Sequence, residues 1–368
     1  MGEQGVFYRD TWVEVDLDSI RANVKAIKDH LHEEVDLIAV VKANAYGHGD
    51  AQTAEAALKA GASMLAVAFM DEALSLRKKG IDAPILVLGA SRPEDVNIAA
   101  DEEIMLTVFR EDWVVKACEV LEKDAEVALH IKIDTGMGRI GIRSIDELIS
   151  IEKVIKQDSR LKFHGVYTHF ATADELDDTY FNEQLSLFTK MLGSLEMLPP
   201  CVHSGNSAAA MRFKDAHFNA VRVGIAMYGL TPSLEIEPDL PVDLKEAFTL
   251  HSRLVHVKKL EKGKKVSYGA TFEASEDMWV GTLPIGYADG WIRRLKGQEV
   301  LINGKRSPII GRICMDQCMV RLPNEVPVGT IGTLIGEQGN EAISINEIAG
   351  KLETINYEVP CLISSRVP

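Results

Sequence analysis

The sequence predicts an α/β protein in which an N-terminal (β/α)8 barrel of the TIM type is followed by a mostly β domain. From residue 35 to about residue 230, eight short apolar runs alternate with amphipathic helical stretches, and a closed barrel accounts for this rhythm. Beyond about residue 243, strand patterns dominate. An open doubly wound sheet is the alternative for the first part, because periodicity alone does not show closure.

The elements of the first part follow one another without a gap. Helical stretches at residues 71–79, 112–122 and 146–155 separate successive strands. Residues 231–243 then interrupt the rhythm with three prolines and four acidic residues, which is typical of a linker. We therefore predict a barrel domain over residues 1–242 and a β domain over residues 243–368. The eight strand candidates of the barrel are residues 37–41, 64–69, 84–88, 104–109, 127–134, 162–170, 201–204 and 220–225.

The second domain has a strong turn signal. Asn303-Gly304 lies between two apolar runs and predicts a two-residue β-hairpin. One short helix is expected at residues 344–351. The strand candidates are residues 249–258, 265–271, 278–283, 298–302, 309–322 and 330–335.

Composition excludes several classes of function. The formal net charge is −15 and there is no long basic run, which argues against a nucleic-acid or anionic-membrane surface. No apolar stretch is long enough to span a bilayer, and the N-terminus lacks the pattern of a signal peptide. The five cysteines are scattered, and Cys314 and Cys318 have no second pair at zinc-site spacing, so we expect no metal. These features predict a cytoplasmic protein.

Lys42 is the most informative single residue. It ends the apolar run Val-Asp-Leu-Ile-Ala-Val-Val and opens a turn that contains Tyr46 and two glycines. Partial desolvation lowers the pKa of an ammonium group, and a neutral amine can form a Schiff base with a carbonyl. Lys42 and the Tyr46 hydroxyl together suggest pyridoxal phosphate, which needs a lysine and phosphate donors. A surface lysine that happens to follow a core strand is the alternative.

Strand alternation sorts side chains into the barrel or toward its helices. Leu129, Ile131 and Ile133 share one face and should meet the helices, which directs Lys132 inward. The same reasoning directs Arg222 inward. A buried arginine keeps its charge and needs an acceptor, which can be a ligand or an internal salt bridge with Asp134 or a neighbour.

Several polar residues fall at or just beyond the C-terminal ends of strands, where barrel enzymes place their chemistry. Ser207 also opens a helical stretch, so it can offer a phosphate site, a helix N-cap, or both. The residues at these strand ends are Lys42, His169, Asn206, Ser207, Gly224 and Ile225.

One motif is misleading. Residues 136–141 match G-x-G-x-x-G between a strand and a helix, as in dinucleotide-binding proteins. The motif lies mid-chain after four β/α units, however, and Arg139 places a long cation within the loop. We therefore do not predict a nicotinamide or flavin site.

Seven segments together resemble alanine racemase, a pyridoxal-phosphate enzyme of fold type III, over essentially the whole chain. They are Ala-Val-Val-Lys-Ala-Asn-Ala-Tyr-Gly-His-Gly around Lys42, Asp-Thr-Gly-Met-Gly-Arg at 134–139, Tyr-Thr-His-Phe-Ala-Thr-Ala-Asp-Glu at 167–175, Arg-Val-Gly-Ile-Ala-Met-Tyr-Gly at 222–229, Ser-Tyr-Gly-Ala at 267–270, Gly-Tyr-Ala-Asp-Gly at 286–290 and Gly-Arg-Ile-Cys-Met-Asp-Gln at 311–317.

The resemblance implies an isomerase that interconverts L-alanine and D-alanine and so supplies D-alanine for peptidoglycan. Lys42 would hold the cofactor as an aldimine and act as one base. Tyr268, from the other subunit of a homodimer, would act as the second base. A hydrogen-bonded chain from Tyr268 through His169 to Arg222 would help the phenol to ionise, and Arg222 would face the pyridine nitrogen.

The resemblance also implies the remaining roles. Arg139 would bind the phenolic oxygen of the cofactor and the substrate carboxylate, with the Met315 amide of the partner chain. Lys132 is carbamylated in many relatives. Tyr287 would narrow the entrance. The implied phosphate ligands are Tyr46, Ser207, Tyr357 and the backbone of Gly224 and Ile225; the implied supporting residues are His203, Asn206 and Asp316.

Three alternatives remain. A decarboxylase of the same fold type would carry an acid at the pyridine nitrogen, where this chain has Arg222. A racemase of serine or of larger amino acids differs mainly at the entrance. A non-catalytic pyridoxal-phosphate carrier would resemble the barrel alone, whereas this chain has a full second domain.

Overall fold

The computed structural model describes residues 8–368, which form two compact units. One unit is Leu17–Glu246, and the other combines Ala247–Pro368 with the described residues up to Asp16. The N-terminal strand β1 (Thr11–Val15) pairs antiparallel with Phe248–Arg253 in the second unit. This differs from the predicted domains, which placed residues 1–242 together. The physical reason is that β1 covers a strand that would otherwise be the edge of its sheet.

The first unit is a closed barrel of eight parallel strands, which confirms the predicted fold class and excludes the open sheet. The first and last strands close it, with Ile38 opposite Arg222. Ile38 and Met105 belong to an apolar cluster of inward residues, whereas Lys132 and Arg222 make part of the interior polar. The strands are β2 (Asp36–Val40), β3 (Met64–Val67), β4 (Ile85–Val87), β5 (Ile104–Val108), β6 (Val127–Lys132), β7 (Leu161–Tyr167), β8 (Cys201–His203) and β9 (Ala220–Val223).

Helices connect these strands. Helix α7 shows why the helices begin where they do: the Ser144 hydroxyl accepts from the Glu147 amide, and the Glu147 side chain accepts from the Ser144 amide. The helices of the barrel unit are α1 (Leu17–His30), the single turn α2 (Lys42–Tyr46), α3 (Asp50–Lys59), α4 (Met70–Lys78), α5 (Val96–Asp101), α6 (Glu111–Val120), α7 (Ile145–Gln157), α8 (Thr179–Leu192) and α9 (Ser207–Arg212).

The second unit is mostly β, as predicted. Its strands after β1 are β10 (Phe248–Arg253), β11 (His256–Leu260), β12 (Lys265–Val266), β13 (Phe272–Glu273), β14 (Met278–Leu283), β15 (Glu299–Ile302), β16 (Lys305–Ile310), β17 (Cys318–Leu322), β18 (Ile331–Gln338) and β19 (Glu341–Ile343). The main sheet has the strand order β1-β10-β18-β15-β16-β17-β14-β11, and α10 (Ile345–Leu352) and α11 (Glu358–Leu362) follow the last strand.

Turns account for the differences from the predicted strands. Asn303 and Gly304 both have positive φ, 49° and 70°, and join β15 to β16 as the predicted two-residue hairpin. The predicted strand at 309–322 is instead two strands, because Gly311 has a φ of 68° and starts a loop. Within residues 8–368, no helix combines the length and hydropathy needed to cross a membrane.

Candidate active site

Lys42 lies at the C-terminal end of β2, where an unusual turn begins. The four residues after it, 43–46, all have φ near 52° and form a left-handed turn. This conformation costs about 1–2 kcal/mol per residue without glycine. Contacts hold the turn in place: the Ala43 amide donates to Glu72 Oε1 at 2.6 Å, and Ala45 is fully buried. Backbone strain of this kind is typical of functional sites.

Tyr46 lies beside a group of hydroxyl and amide donors. Its ring packs against Tyr228 with centroids 4.9 Å apart, and the Tyr228 hydroxyl donates to the Val40 carbonyl at 2.9 Å. A methyl group built on Gly224 would lie 2.7 Å from the Tyr46 hydroxyl oxygen. Ser207 Oγ accepts from the Gly224 amide at 3.0 Å. Such a concentration of donors suits a phosphate.

Asn206, rather than Ser207, is the N-cap of α9. Its side-chain oxygen accepts from the Ala209 amide at 3.0 Å. Ser207 is therefore not required as a cap. Ile225, which was predicted together with Gly224, is buried at the start of a 3-10 turn.

Arg222 is buried in the barrel, as strand alternation predicted. Its Nη1 donates to His203 Nδ1 at 2.8 Å, and its Nη2 donates to the carbonyls of Thr168 and Ser204 at 2.8 and 3.0 Å. Asp134 instead accepts from loop amides. The alternative of an internal salt bridge between Arg222 and Asp134 is therefore wrong.

His169 forms the next contact, since Arg222 Nη2 donates to its Nδ1 at 3.2 Å. Burial, reinforced by the nearby cations Arg222, Lys132, Arg139 and Lys42, holds the pKa of His169 well below its usual range. His169 is therefore a neutral imidazole with its hydrogen on Nε2. The charges of these four predicted residues therefore act on one side chain.

Lys132 is buried with its Nζ 4.7 Å from the centre of the Tyr167 ring. Burial, with smaller contributions from Arg222 and Arg139, lowers its pKa to about 7, although Asp134 acts in the opposite direction. A substantial fraction of Lys132 is therefore a neutral amine near neutral pH, which makes it nucleophilic.

The amides of the glycine-rich loop after β6 already have an acceptor within the chain. Asp134 Oδ1 accepts from the amides of Gly136 and Gly138 at 3.1 and 2.9 Å, so these amides face a carboxylate of the chain. Arg139 in the same loop is exposed and forms no ion pair with a described residue. The loop therefore presents a cation rather than a phosphate cradle.

The second unit groups three exposed predicted residues on neighbouring loops. Tyr268 is 71% exposed, Met315 52% and Tyr287 39%. The amide of Tyr287 donates to the Cys314 carbonyl at 3.0 Å, and Ser267 Oγ lies 3.6 Å from Cys314 Sγ. The loop that contains Cys314 thus contacts both the loop of Tyr268 and the loop of Tyr287. This group of exposed side chains is a candidate surface for a ligand or partner.

Two further predicted residues lie in the second unit. Asp316 pairs with Arg366 at 2.7 Å. Tyr357 immediately precedes α11 and is partly buried. The barrel unit holds the other predicted residues, namely Lys42, Tyr46, Lys132, Arg139, His169, His203, Asn206, Ser207, Arg222, Gly224 and Ile225.

The prediction missed side chains that support the site. Tyr167 stacks on His203 with centroids 4.6 Å apart and also underlies Lys132 and Arg222. Tyr167 and Gly165 lie two residues apart on β7 and therefore share its inward face. This spacing is a sequence signal that could have identified Tyr167. Tyr228 lies in the segment 222–229, but no sequence signal assigned it a role.

Comparisons with known proteins agree with this architecture. The chain matches the family described as alanine racemase, N-terminal domain, over residues 15–232, and alanine racemase, C-terminal domain, over residues 247–368. It is 61% identical to the alanine racemase of Geobacillus kaustophilus over 98% of this chain and 94% of that protein.

Solved structures give the same result. A Bacillus anthracis alanine racemase with bound L-Ala-P has a TM-score of 0.96 and 52% identity, covering 99% of this chain and 95% of that one. A histidine racemase from Leuconostoc mesenteroides has a TM-score of 0.94 and 31% identity, covering 98% of both chains. Barrel and β unit thus define an amino-acid racemase, an isomerase. Within that class, the chain belongs to the alanine racemase family.

Proposed function

We propose that the chain interconverts L-alanine and D-alanine with pyridoxal 5'-phosphate held on Lys42. The observation that supports the cofactor is the donor group of Tyr46, Ser207 and Gly224 near Lys42, whose Nζ is 5.9 Å from the centre of the Tyr46 ring. Identity to the alanine racemase of G. kaustophilus, 61%, exceeds the 31% identity to the histidine racemase, which favours alanine over a larger substrate.

The residues present fit this cofactor. We assign the phosphate to Tyr46, Ser207, Tyr357 and the backbone of Gly224 and Ile225. When bound, the cofactor supplies an electron sink that lowers the barrier to removing the α-proton of the amino acid. Arg222 would face the pyridine nitrogen in this assignment and, as a permanent cation, would leave it unprotonated.

Racemisation requires a proton to leave one face of Cα and to return on the other. We assign Lys42 to one face and Tyr268 to the opposite face. A phenol has a reference pKa near 10, so its ionisation needs help. The Nε2–H of His169, whose Nδ1 accepts from Arg222, can stabilise the phenolate of Tyr268 by donating to it.

Tyr268 also suggests a homodimer. A base that is 71% exposed in its own chain needs surroundings that exclude water from the reaction. We propose that a second copy supplies them, so that each site combines Lys42 of one subunit with Tyr268 and the Met315 amide of the other. Tyr287 would narrow the same entrance.

The remaining predicted residues support this arrangement. Arg139, an exposed cation without an ion pair among the described residues, suits the carboxylate of the substrate. Lys132 is proposed to become a carbamate that orients Arg139. His203, Asn206 and Asp316 have supporting roles. The product would supply D-alanine for peptidoglycan, and the five free thiols favour the cytoplasm.

The test is incubation with L-alanine in heavy water, with and without added pyridoxal phosphate. D-alanine that carries deuterium at Cα and requires the cofactor is the expected result. Exchange without D-alanine would contradict the role of Tyr268 as second base. Bound cofactor without exchange would refute alanine as the substrate, and serine and histidine would then be tested.

A further inference from the structure

Three imidazoles form a chain inside the barrel beyond Arg222. Arg222 Nη1 is 2.8 Å from His203 Nδ1, and His203 Nε2 is 2.9 Å from His130 Nδ1. His130 Nε2 is in turn 2.9 Å from His164 Nδ1. His130 and His203 are fully buried, and His164 is partly exposed. Neither His130 nor His164 has a place in the proposed reaction.

The direction of every hydrogen bond in this chain follows from Arg222. A guanidinium only donates, so His203 Nδ1 accepts and the hydrogen of His203 is on Nε2. His203 then donates to His130, and His130 donates to His164. Burial is the main cause that holds the pKa values of His130 and His203 well below their usual range, so both rings are neutral.

The backbone is shaped to accommodate the chain. The register between β6 and β7 shifts at Leu129/His130, where Phe163 and Gly165 are the successive partners and His164 is the extra residue. A side chain on Gly165 would overlap the His130 ring. A bulge and a glycine thus coincide at the contact between His130 and His164.

We propose that His130 is a positioning residue that fixes the tautomer of His203 and thereby the orientation of Arg222. If His203 carried its hydrogen on Nδ1, two donors would face each other and the bond to Arg222 would be lost. The acceptor at His130 Nδ1 favours the tautomer that keeps this bond. The inference rests on the proposed role of Arg222 toward the cofactor.

A metal-binding site is the alternative interpretation of these buried histidines. His130, His203 and Cys201 place their ligand atoms within 4.8 Å of one another. The proton that His203 Nε2 donates to His130 Nδ1 occupies the space that a metal ion would need. As long as Arg222 donates to the other nitrogen of His203, a metal ion would have to displace this proton and leave an imidazolate.

Two His130 variants of similar shape distinguish the loss of a hydrogen-bond acceptor from the loss of packing. His130→Asn retains an acceptor at the position of Nδ1, whereas His130→Leu does not. We expect His130→Leu holoenzyme to lose about tenfold or more in kcat, because His203 would no longer be held in the tautomer that accepts from Arg222, with KM for alanine nearly unchanged. His130→Asn should recover most of the loss. His217→Leu removes a buried imidazole that is not one of the three hydrogen-bonded histidines, and this control variant should retain kcat.

Equal loss in His130→Asn and His130→Leu, or no loss in either, would overturn the proposal. Imidazole ¹⁵N spectra of wild-type holoenzyme provide a readout that does not depend on turnover or on folding of a variant. We expect His203 to be protonated at Nε2 only, with coupling to His130 Nδ1. Protonation at Nδ1, or stoichiometric binding of added Zn²⁺ through His203, would also overturn it. Absence of racemisation in wild type alone would refute the proposed function instead.

Discussion

At Lys132, burial and two neighbouring guanidinium groups act in the same direction and lower the pKa to about 7. In the proposed carbamylation, the neutral amine would attack dissolved CO₂, form an N–C bond and release a proton to water. We expect ¹³C-bicarbonate to give one carbamate signal in the protein. Lys132→Met should remove this signal, and Lys162→Met, at an exposed lysine, should retain it. A signal that persists in Lys132→Met would contradict the assignment.

Tyr268 offers a second test at the scale of one residue. Tyr268→Phe removes a proton donor and acceptor without changing the ring. We expect racemisation to fall by about 10²–10⁴-fold, the usual contribution of a general acid–base group, while the absorbance of bound cofactor stays unchanged. Steady-state rates in both directions and a visible spectrum measure this. An equal loss of bound cofactor would mean that Tyr268 binds rather than catalyses.

Alternation along a strand was enough to predict that Lys132 and Arg222 point inward. It could not predict their partners. The carbonyls that hold Arg222 belong to Thr168 and Ser204, on segments distant in the chain, and only strand pairing brings them together.

At the scale of the element, β7 is constrained by His130. Gly165→Ala would overlap this ring, and the rigid barrel leaves it little room to move. We expect the free energy of unfolding to decrease by about 1–3 kcal/mol, as for other overpacked cores. Gly193→Ala is the matched control, because its new methyl group would lie 3.5 Å from its nearest neighbour. Denaturant titrations compare the two variants, and equal stabilities would contradict the overlap.

Local signals predicted the elements well where the signal was itself local. Asn303-Gly304 specified its hairpin because both residues tolerate positive φ. The predicted strand at 265–271 is shorter, since Ser267 and Gly269 adopt positive φ and turn the chain at Tyr268. No periodic pattern indicates such a turn.

At the scale of the whole molecule, the proposed shared site predicts complementation between two variants that each lack one proposed base. Lys42→Ala would lack the base on the barrel, and Tyr268→Ala would lack the base on the second unit. Subunit exchange in a mixture would create heterodimers with one intact site, so we expect up to about a quarter of wild-type activity at equal amounts. Activity no higher than that of the separate variants, despite proven exchange, would place both bases in one chain.

Buried neutral histidines should make the protein sensitive to acid. Burial lowers the pKa of His48 from 6.5 to about 4 despite two backbone hydrogen bonds. Between these values the unfolded chain binds a proton that the folded chain does not, so stability decreases as pH falls. His48 alone should remove about 2 kcal/mol between pH 7 and pH 5. Denaturant unfolding at both pH values measures this, and His48→Gln should reduce the difference. A constant stability would contradict it.

The sequence alone determined the β/α rhythm, the position of Lys42 at the end of the first barrel strand, and the inward direction of Lys132 and Arg222. These features depend only on neighbours a few residues apart. Tertiary structure decided that β1 joins the second unit, that Arg222 is held by imidazoles and carbonyls, and that His130 links His203 to His164. These contacts join residues whose separation ranges from 18 to 241 positions along the chain. Strand pairing, rather than any local preference, sets which of them meet.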